Sequence, residues 1–247
     1  MRAVTAQAAG SAKKAISVKR AVSAKKAVLP KKAVLPKKAV LVGPCPVSKS
    51  ELVRLKAALK GAVLIAVDGG LVTCRKAGLK PDLAVGDWDS LRSRSLLDGV
   101  PHLTLARDKD QSDTYYAFLA AITAGAREVE GYGLTGGRPD HHFAVLADSA
   151  QAVSSGHIAR VHLVGADAEY RIFSGEISLK LGTGSLVSVF AMGGNAAGVS
   201  LQGLRFPLKG ETLLPSSRGL SNVVERPSVR VSCDQGVLML VVPAIAK

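Results

Sequence analysis

The sequence predicts an α/β protein: an open, parallel, helix-flanked sheet, then an all-β unit, with a disordered basic tail in front. Three observations carry this. Short apolar runs alternate with helix-length segments from residue 39 to about 167. From about 168 to 247, β-branched runs separated by Gly-rich turns replace them. Residues 1–38 are a Lys-rich repeat without a single acid.

The tail accounts for the charge. The net charge is +14, yet eleven of the 33 Lys/Arg fall in residues 1–40, so 22 basic groups face 19 acidic ones beyond them, a net of +3. A polyanion-binding argument therefore concerns the tail alone. The tail repeats in sixes (SAKKAI, SVKRAV, SAKKAV, LPKKAV, LPKKAV), a period that suits neither helix nor heptad, and Pro30 and Pro36 break a helix anyway. It reads as low-complexity and disordered. Its functional reading is an electrostatic arm for RNA, membrane or an organelle import receptor. The plainer reading, which is favoured, is an expanded repeat or an extension upstream of the true start.

At 247 residues, 47% hydrophobic and 21% charged, the chain is a soluble globular protein of one large domain or two small ones. No run approaches the ~18 apolar residues of a membrane helix. Cys45, Cys74 and Cys233 are odd in number and far apart, which fits neither a disulfide framework nor a zinc knuckle. With no signal peptide either, a reducing, cytoplasmic location is expected.

The elements follow in order. Ala39–Val42 is a short strand ending at Gly43. Ser48 and Glu51 form a capping box that opens a helix running to Gly61. Ala62–Val67 is an unbroken apolar run, as in strands buried on both faces. It stops at Asp68-Gly69-Gly70, and a helix-like segment continues to Gly78. Leu83–Val85 leads into Gly86-Asp87-Trp88-Asp89-Ser90. His102–Ala106 reads as a strand before the 107–113 loop and an apolar helix through Ala124. Arg127–Tyr132 reads as a strand before the 133–141 loop and a helix to about Val153. This alternation indicates a parallel sheet with a Rossmann-like arrangement.

Four Asp- and Gly-rich segments thus fall at four strand ends, where open α/β sheets bind ligands. Phosphate chemistry with a hard cation suits them, because Mg²⁺ takes carboxylate, phosphate and water oxygens. Asp87 and Asp89, two apart on an extended segment, can hold one ion, with Asp113 and Asp68 approaching from neighbouring strands. Gly69, Gly70, Gly136 and Gly137 leave room for backbone N–H groups to meet phosphate oxygens. Lys109 and Arg138 can neutralise charge on a transferring phosphoryl group. Of the two histidines, His141 is the better candidate for ligand contact, whereas His142 caps or packs its helix. Trp88 is a packing residue.

At these residues the chain resembles the thiamine pyrophosphokinase (thiamine diphosphokinase) family. The residues carrying the likeness are VDGG (67–70), VGDWDS (85–90), DKDQSD (108–113) and TGGRPDH (135–141), and it extends from about residue 39 to the end. The resemblance implies transfer of an intact pyrophosphoryl group from ATP to the hydroxyethyl oxygen of thiamine, giving thiamine diphosphate and AMP with Mg²⁺. It maps the acidic cluster onto Asp68, Asp87, Asp89 and Asp113, with Asp87, Asp89 and Asp113 as metal ligands. Phosphate and nucleotide contacts map onto Gly69, Gly70, Lys109, Thr135, Gly136, Gly137, Arg138, Asp140 and His141, with Arg138 also among the catalytic groups. The chain departs from the pattern at Ser112 (usually Thr), Trp88 (usually Phe, Leu or Met) and Val145 (often Asn).

In the last third, Glu169–Phe173, Ser185–Phe190, Val229–Ser232 and Val237–Val242 read as strands, with a hairpin turn at Asp234-Gln235-Gly236. Alternation alone says a small sandwich. The family likeness adds a thiamine-binding β-sandwich over residues 168–247, a homodimer with the active site at the subunit interface, and thiamine contacts from Ser221 and Asn222 in GLSN (219–222), where Gly219 replaces a usual Ser. Three rivals stand beside it: a Mg²⁺-dependent nucleotide hydrolase on the same carboxylates, nucleic-acid binding through the tail, and an inactive paralogue.

Overall fold

The computed structural model describes residues 37–244, so the expectations for the repeat tail lie outside the described residues apart from Lys37 and Lys38. Lys38 already belongs to the sheet. The chain runs β1 (Lys38–Val42), α1 (Lys49–Ala58), β2 (Ala62–Val67), α2 (Gly70–Lys76), β3 (Leu83–Gly86), a 3₁₀ turn (Arg94–Leu97), β4 (His102–Thr104), α3 (Asp113–Thr123), β5 (Glu128–Tyr132), α4 (Pro139–Ser154) and β6 (Arg160–Val164).

Local chemistry explains these boundaries. Ser48 Oγ accepts from the Glu51 N–H at 3.3 Å while Glu51 Oε2 accepts from the Ser48 N–H at 2.6 Å, the reciprocal box that starts α1. Ser112 Oγ accepts from the Tyr115 N–H at 3.0 Å and starts α3. Pro139 opens α4, where a missing N–H costs nothing. All six residues of β2 are buried, as its unbroken apolar sequence requires.

These strands pair in parallel in the order β6-β5-β1-β2-β3-β4. From β1 the chain winds outward through β2, β3 and β4, then crosses back to β5 on the other side. The strand order therefore reverses between β1 and β5, and all six strands point their carboxyl ends to one edge.

The sheet does not stop at β6. A turn at 165–167 sends β7 (Ala168–Phe173) back antiparallel to β6, and β14 (Leu238–Pro243), β9 (Leu186–Ala191) and β12 (Asn222–Val223) extend it to ten strands. A second, antiparallel sheet has the order β11-β10-β13-β8: β8 is Glu176–Lys180, β10 Ala196–Gln202, β11 Leu208–Leu213 and β13 Ser228–Ser232. Phe173, Val189 and Leu240 of the first sheet and Val199, Val229 and Val231 of the second share one buried apolar cluster. The hairpin expected at Asp234-Gln235-Gly236 is not one. β13 and β14 lie in different sheets, and the Asp234 and Gln235 N–H groups donate to Ala197 O as the chain crosses between them. None of the described helices is long and apolar enough to cross a membrane. The three cysteines are free thiols.

One face of the central sheet carries ion pairs instead of apolar groups. Lys38 pairs with Glu130, which also accepts from the Tyr132 hydroxyl. Glu169 takes His162 at 2.8 Å, Arg54 at 2.7 Å and Arg171 at 3.3 Å. The hydrogen bond from His162, then that from Arg54, outweigh burial and hold the Glu169 carboxyl far below its ordinary 4.5. Burial raises Glu130, but Lys38 and Tyr132 outweigh it and its carboxyl also lies low. A depressed carboxylate contributes stability above its unfolded pKa and loses it as pH falls through the folded value. The thermal midpoint is therefore expected to drop as pH falls below about 4.5, and Glu169→Gln to flatten that acid limb. Midpoints measured between pH 7 and pH 3 check this.

Candidate active site

The acidic segments meet at the carboxyl edge of β2 and β3. Asp68, Asp87 and Asp89 each offer a carboxylate oxygen within 4.8 Å of the other two. Backbone geometry arranges this. Among the described residues, Asp68 (φ 44°), Trp88 (φ 65°) and Ser221 (φ 56°) are the non-glycine residues with positive φ, and all three lie in the segments singled out for function. Such conformations cost about 1–3 kcal/mol each and persist where surrounding structure enforces them. Trp88 turns inward: it is 2% exposed, donates from Nε1 to Thr104 Oγ1 at 2.9 Å, and packs edge-on against His102. With the indole anchored, Asp87 and Asp89 on either side face the cluster.

Glycines bring these loops together. A Cβ on Gly86 would sit 2.9 Å from Asp68 Cα, and one on Gly70 would sit 1.9 Å from Val42 O. The bare Gly70 is thus a requirement of packing α2 onto β1, apart from any phosphate contact.

The carboxylates differ in their partners. Asp68 Oδ2 accepts from Ser90 Oγ at 2.7 Å, while its Oδ1 is buried without a partner. Asp87 Oδ2 accepts from Lys109 Nζ at 2.8 Å, which holds its carboxyl below the usual range, and Oδ1 takes the Asp89 N–H at 3.3 Å. Asp89 is more open and pairs with Arg107 at 3.2 Å. Asp113, the first residue of α3, lies 3.1 Å from the same Lys109 ammonium, with no aligned hydrogen-bond donor on its Oδ1. Burial raises the Asp113 carboxyl despite that ammonium. Burial pulls Lys109 down, but the Asp87 and Asp113 carboxylates beside it leave it above its ordinary value. The sequence places Asp68 and Asp113 both beside Asp87 and Asp89, with Asp113 as the third metal ligand. The structure gathers Asp68 with the pair and joins Asp113 to Asp87 through Lys109.

An orphaned buried carboxylate oxygen beside two more carboxylates is an all-oxygen donor set that fits a hard divalent cation. Asp68, Asp87 and Asp89 would hold it.

The β5–α4 loop lies two and three strands away. Thr135 is buried, Gly136 (φ 94°) and Gly137 (φ 66°) turn the chain, and exposed Arg138 grips Asp140 through Nε at 3.1 Å and Nη2 at 2.6 Å. That bond holds the Asp140 carboxyl down at about 2. His141 is exposed. His142 packs edge-on against Tyr170, as expected of a packing histidine, but its buried Nε2 has no partner and lines a cleft with Thr135, Gly136 and Gly137. The sequence names Thr135, Gly136 and Gly137 of that cleft as phosphate and nucleotide contacts, but carries no signal for His142 or Tyr170 beside them.

Sequence reading also missed Asp148. Val145 is buried, and one turn further along α4 the buried Asp148 accepts from Ser112 Oγ at 2.5 Å. This ties α4 to the cap of α3, and so the 133–141 loop to Asp113. Burial pushes the Asp148 carboxyl up against that bond. Asp148→Ala is expected to cost about 1–3 kcal/mol and to lower turnover while Asp148→Asn retains most of both. Denaturant melts and steady-state rates on the two variants check this.

Ser221 and Asn222 stand elsewhere. β12 is an edge strand seven places from β2 in the ten-stranded sheet, a separation of roughly 30 Å at ~4.8 Å per strand. Asn222 braces its own surroundings: Oδ1 accepts from the Phe206 and Val223 N–H groups, and Nδ2 donates to Phe206 O. Ser221 is exposed, beside exposed Leu220 and near exposed Phe206, whose backbone bonds Asn222; Leu214 is a further exposed apolar side chain of this sheet region. A Cβ on Gly219 would lie 1.8 Å from Val189 O, which accounts for glycine there.

The family model described as thiamin pyrophosphokinase, catalytic domain, matches residues 55–158, and that described as thiamin pyrophosphokinase, vitamin B1 binding domain, matches residues 175–238. The thiamine pyrophosphokinase of Bacillus subtilis (strain 168) is 26% identical over 184 residues, 72% of this chain and 85% of its relative. The crystal structure of the Bacillus subtilis enzyme superposes with a TM-score of 0.71 at 23% identity, covering 85% of this chain and all of that one. Yeast thiamin pyrophosphokinase gives 0.63 at 10% identity, covering 89% and 90%. Between them the two family models span most of the sequence, acid cluster and C-terminal sheets alike: the chain belongs to the thiamin pyrophosphokinase family.

Proposed function

We propose that this enzyme transfers the pyrophosphoryl group of ATP to the hydroxyethyl oxygen of thiamine, with Mg²⁺, and releases thiamine diphosphate and AMP. The observation that carries the reading is the Asp68–Asp87–Asp89 cluster at one sheet edge with Lys109 beside it. In the reaction the thiamine oxygen bonds to the β-phosphorus, the bond from that phosphorus to the α,β-bridging oxygen breaks with its electron pair leaving on AMP, and the hydroxyl proton passes to solvent water. Mg²⁺ supplies charge neutralisation on the phosphate oxygens when bound. Lys109, fixed by Asp87 and Asp113, presents an ammonium to the same charge, and Arg107 and Arg138 add cations at the rim. Positioning and electrostatics do most of the work in such transfers.

The strand reversal between β1 and β5 supports a Rossmann-like catalytic domain over residues 39–167. The core shared by two antiparallel sheets supports a β-sandwich over 168–247. The ~30 Å between Ser221 and the acid cluster supports a homodimer in which thiamine lies between the cluster of one chain and the Ser221 loop of another, with Phe206, Leu214 and Leu220 at the contact. Cytoplasmic location is part of the same reading. A hydrolase needs no acceptor site, so the vitamin B1 binding match speaks against it.

The test is a product assay with ATP, Mg²⁺ and thiamine, separating nucleotides and thiamine species by chromatography. AMP and thiamine diphosphate are expected in equal amounts. ADP with thiamine monophosphate, or nucleotide breakdown indifferent to thiamine, would refute the reaction. For the shared site, mixing inactive Asp87→Ala with inactive Ser221→Trp is expected to restore activity through mixed dimers with one intact site. No recovery after subunit exchange would refute it.

A further inference from the structure

Residues 87, 88 and 89 are each tied to the segment that ends β4 and runs into the loop beyond it. Asp87 Oδ2 accepts from Lys109 Nζ at 2.8 Å, the Trp88 indole donates to Thr104 Oγ1 at 2.9 Å, and Asp89 Oδ2 accepts from Arg107 Nη2 at 3.2 Å. The two ion pairs use carboxylate oxygens that a cation would need. The indole bond uses none of them, so it is the tie that can hold the turn with or without a cation.

The turn needs such a tie. Trp88 stands at φ 65°, in the left-handed region that bulky residues seldom adopt and keep only where their surroundings enforce it. Those surroundings close on the ring. It is 2% exposed, its centroid lies 6.1 Å from that of His102, and a Cβ on Gly86 would sit 3.1 Å from its Cζ3. His102 and Thr104, two apart on β4, meet the indole from one face of the strand. Packing sets the depth of the ring, and the directional bond at Nε1 also sets its rotation. With so little of the ring open to water, Thr104 is the acceptor that satisfies this donor.

The anchor point is itself fixed. Thr104 pairs with Gly86 across β3 and β4, and the Leu105 N–H donates to Gly86 O at 2.9 Å. We propose that Thr104 is a positioning residue for the cation site. Acting through the indole, it keeps residue 88 in its left-handed turn, so that the Asp87 and Asp89 carboxylates stay turned toward Asp68. This rests on the reading of those three carboxylates as the ligands of the cation. An apolar side chain at position 88 would fill the space but offer Thr104 no donor. The departure from the family pattern at Trp88 therefore brings Thr104 into the site.

Trp88 is the one tryptophan of the chain, so its fluorescence reports on this turn directly. The experiment titrates the full chain with Mn²⁺ beside a non-hydrolysable ATP analogue. Binding is read from the free Mn²⁺ electron paramagnetic resonance signal and, where Trp88 is present, from quenching of its emission. Thr104→Val keeps the shape and removes the acceptor. It is expected to shift the emission and to weaken Mn²⁺ about tenfold, the scale of one buried hydrogen bond, while Thr104→Ser binds as wild type does. Trp88→Phe is expected to weaken Mn²⁺ by a similar factor, and Thr104→Val added to it to cause no further loss, because the pair acts as one. Wild-type affinity in Thr104→Val, no rescue by Thr104→Ser, or the same loss repeated on the Trp88→Phe background would overturn the proposal. Should Thr104→Val not fold, Trp88→Phe carries the test, and wild-type affinity there overturns it equally. A wild type that takes up no Mn²⁺ loses the cation site and the positioning role together. A wild type that binds Mn²⁺ no more tightly than Thr104→Val loses only the positioning role.

Discussion

Asp68→Asn is expected to lower turnover by about a thousandfold while leaving the metal-free protein as stable as wild type or slightly more so. The two effects share one cause. Asp68, Asp87 and Asp89 lie within 4.8 Å of one another, and Asp68 Oδ1 is buried without a partner. Without a cation these like charges repel, and neutralising one relieves the fold. On the proposed reading the same oxygens would be the ligands of a cation, and an amide is a poorer one. Asp87→Asn is expected to lose turnover equally without the gain, because it also gives up the ion pair that places Lys109. Thermal melts with and without Mg²⁺, beside rate measurements, check both. A Mg²⁺-dependent rise in midpoint for wild type that disappears in Asp68→Asn is the expected signature.

The largest structural effect is expected of Gly70→Ala. One added methyl group would lie 1.9 Å from Val42 O and 2.6 Å from its carbonyl carbon, both backbone atoms of the buried strand β1. Neither can yield as a side chain does, so α2 must lift from the sheet. We expect a loss of about 3 kcal/mol or more, and disruption of the Asp68 turn that precedes the helix. Gly69→Ala is the internal control. Its nearest neighbours are Pro44 Cβ at 3.1 Å and Ser90 Oγ at 3.4 Å, a contact relieved by small shifts. Urea denaturation of the two variants should separate them clearly, with Gly70→Ala far the less stable.

What was legible in the sequence is what local chemistry encodes. The Ser48/Glu51 box, the Ser112 cap and Pro139 mark helix starts through interactions within one turn. The unbroken run Ala62–Val67 reports burial on both faces. Four Asp/Gly segments after four such strands gave the sheet edge, because parallel strands must share a carboxyl end. What was missed depends on pairing across the chain. β6 reads poorly because Arg160 and His162 face Glu128 and Glu169 instead of an apolar layer. β10 is interrupted by Gly198 at φ 67° and by register shifts against β11, itself a largely exposed edge strand. Asp234–Gly236 has hairpin composition, yet its flanking strands belong to different sheets. The same holds at the site. Spacing joined Asp87 to Asp89 and brought both Asp68 and Asp113 near them, but which of the two joins the pair depends on the positive φ of Asp68 and on Lys109 standing between Asp87 and Asp113. No local signal reports either.

The most direct test of the metal assignment is Mn²⁺ binding, followed by electron paramagnetic resonance in the presence of a non-hydrolysable ATP analogue. Wild type and Asp113→Asn should both deplete the free Mn²⁺ signal, the latter more weakly, and Asp68→Asn and Asp87→Asn should leave it nearly untouched. Full Mn²⁺ uptake by Asp68→Asn, with none by Asp113→Asn, would contradict the assignment and return the site to Asp87, Asp89 and Asp113.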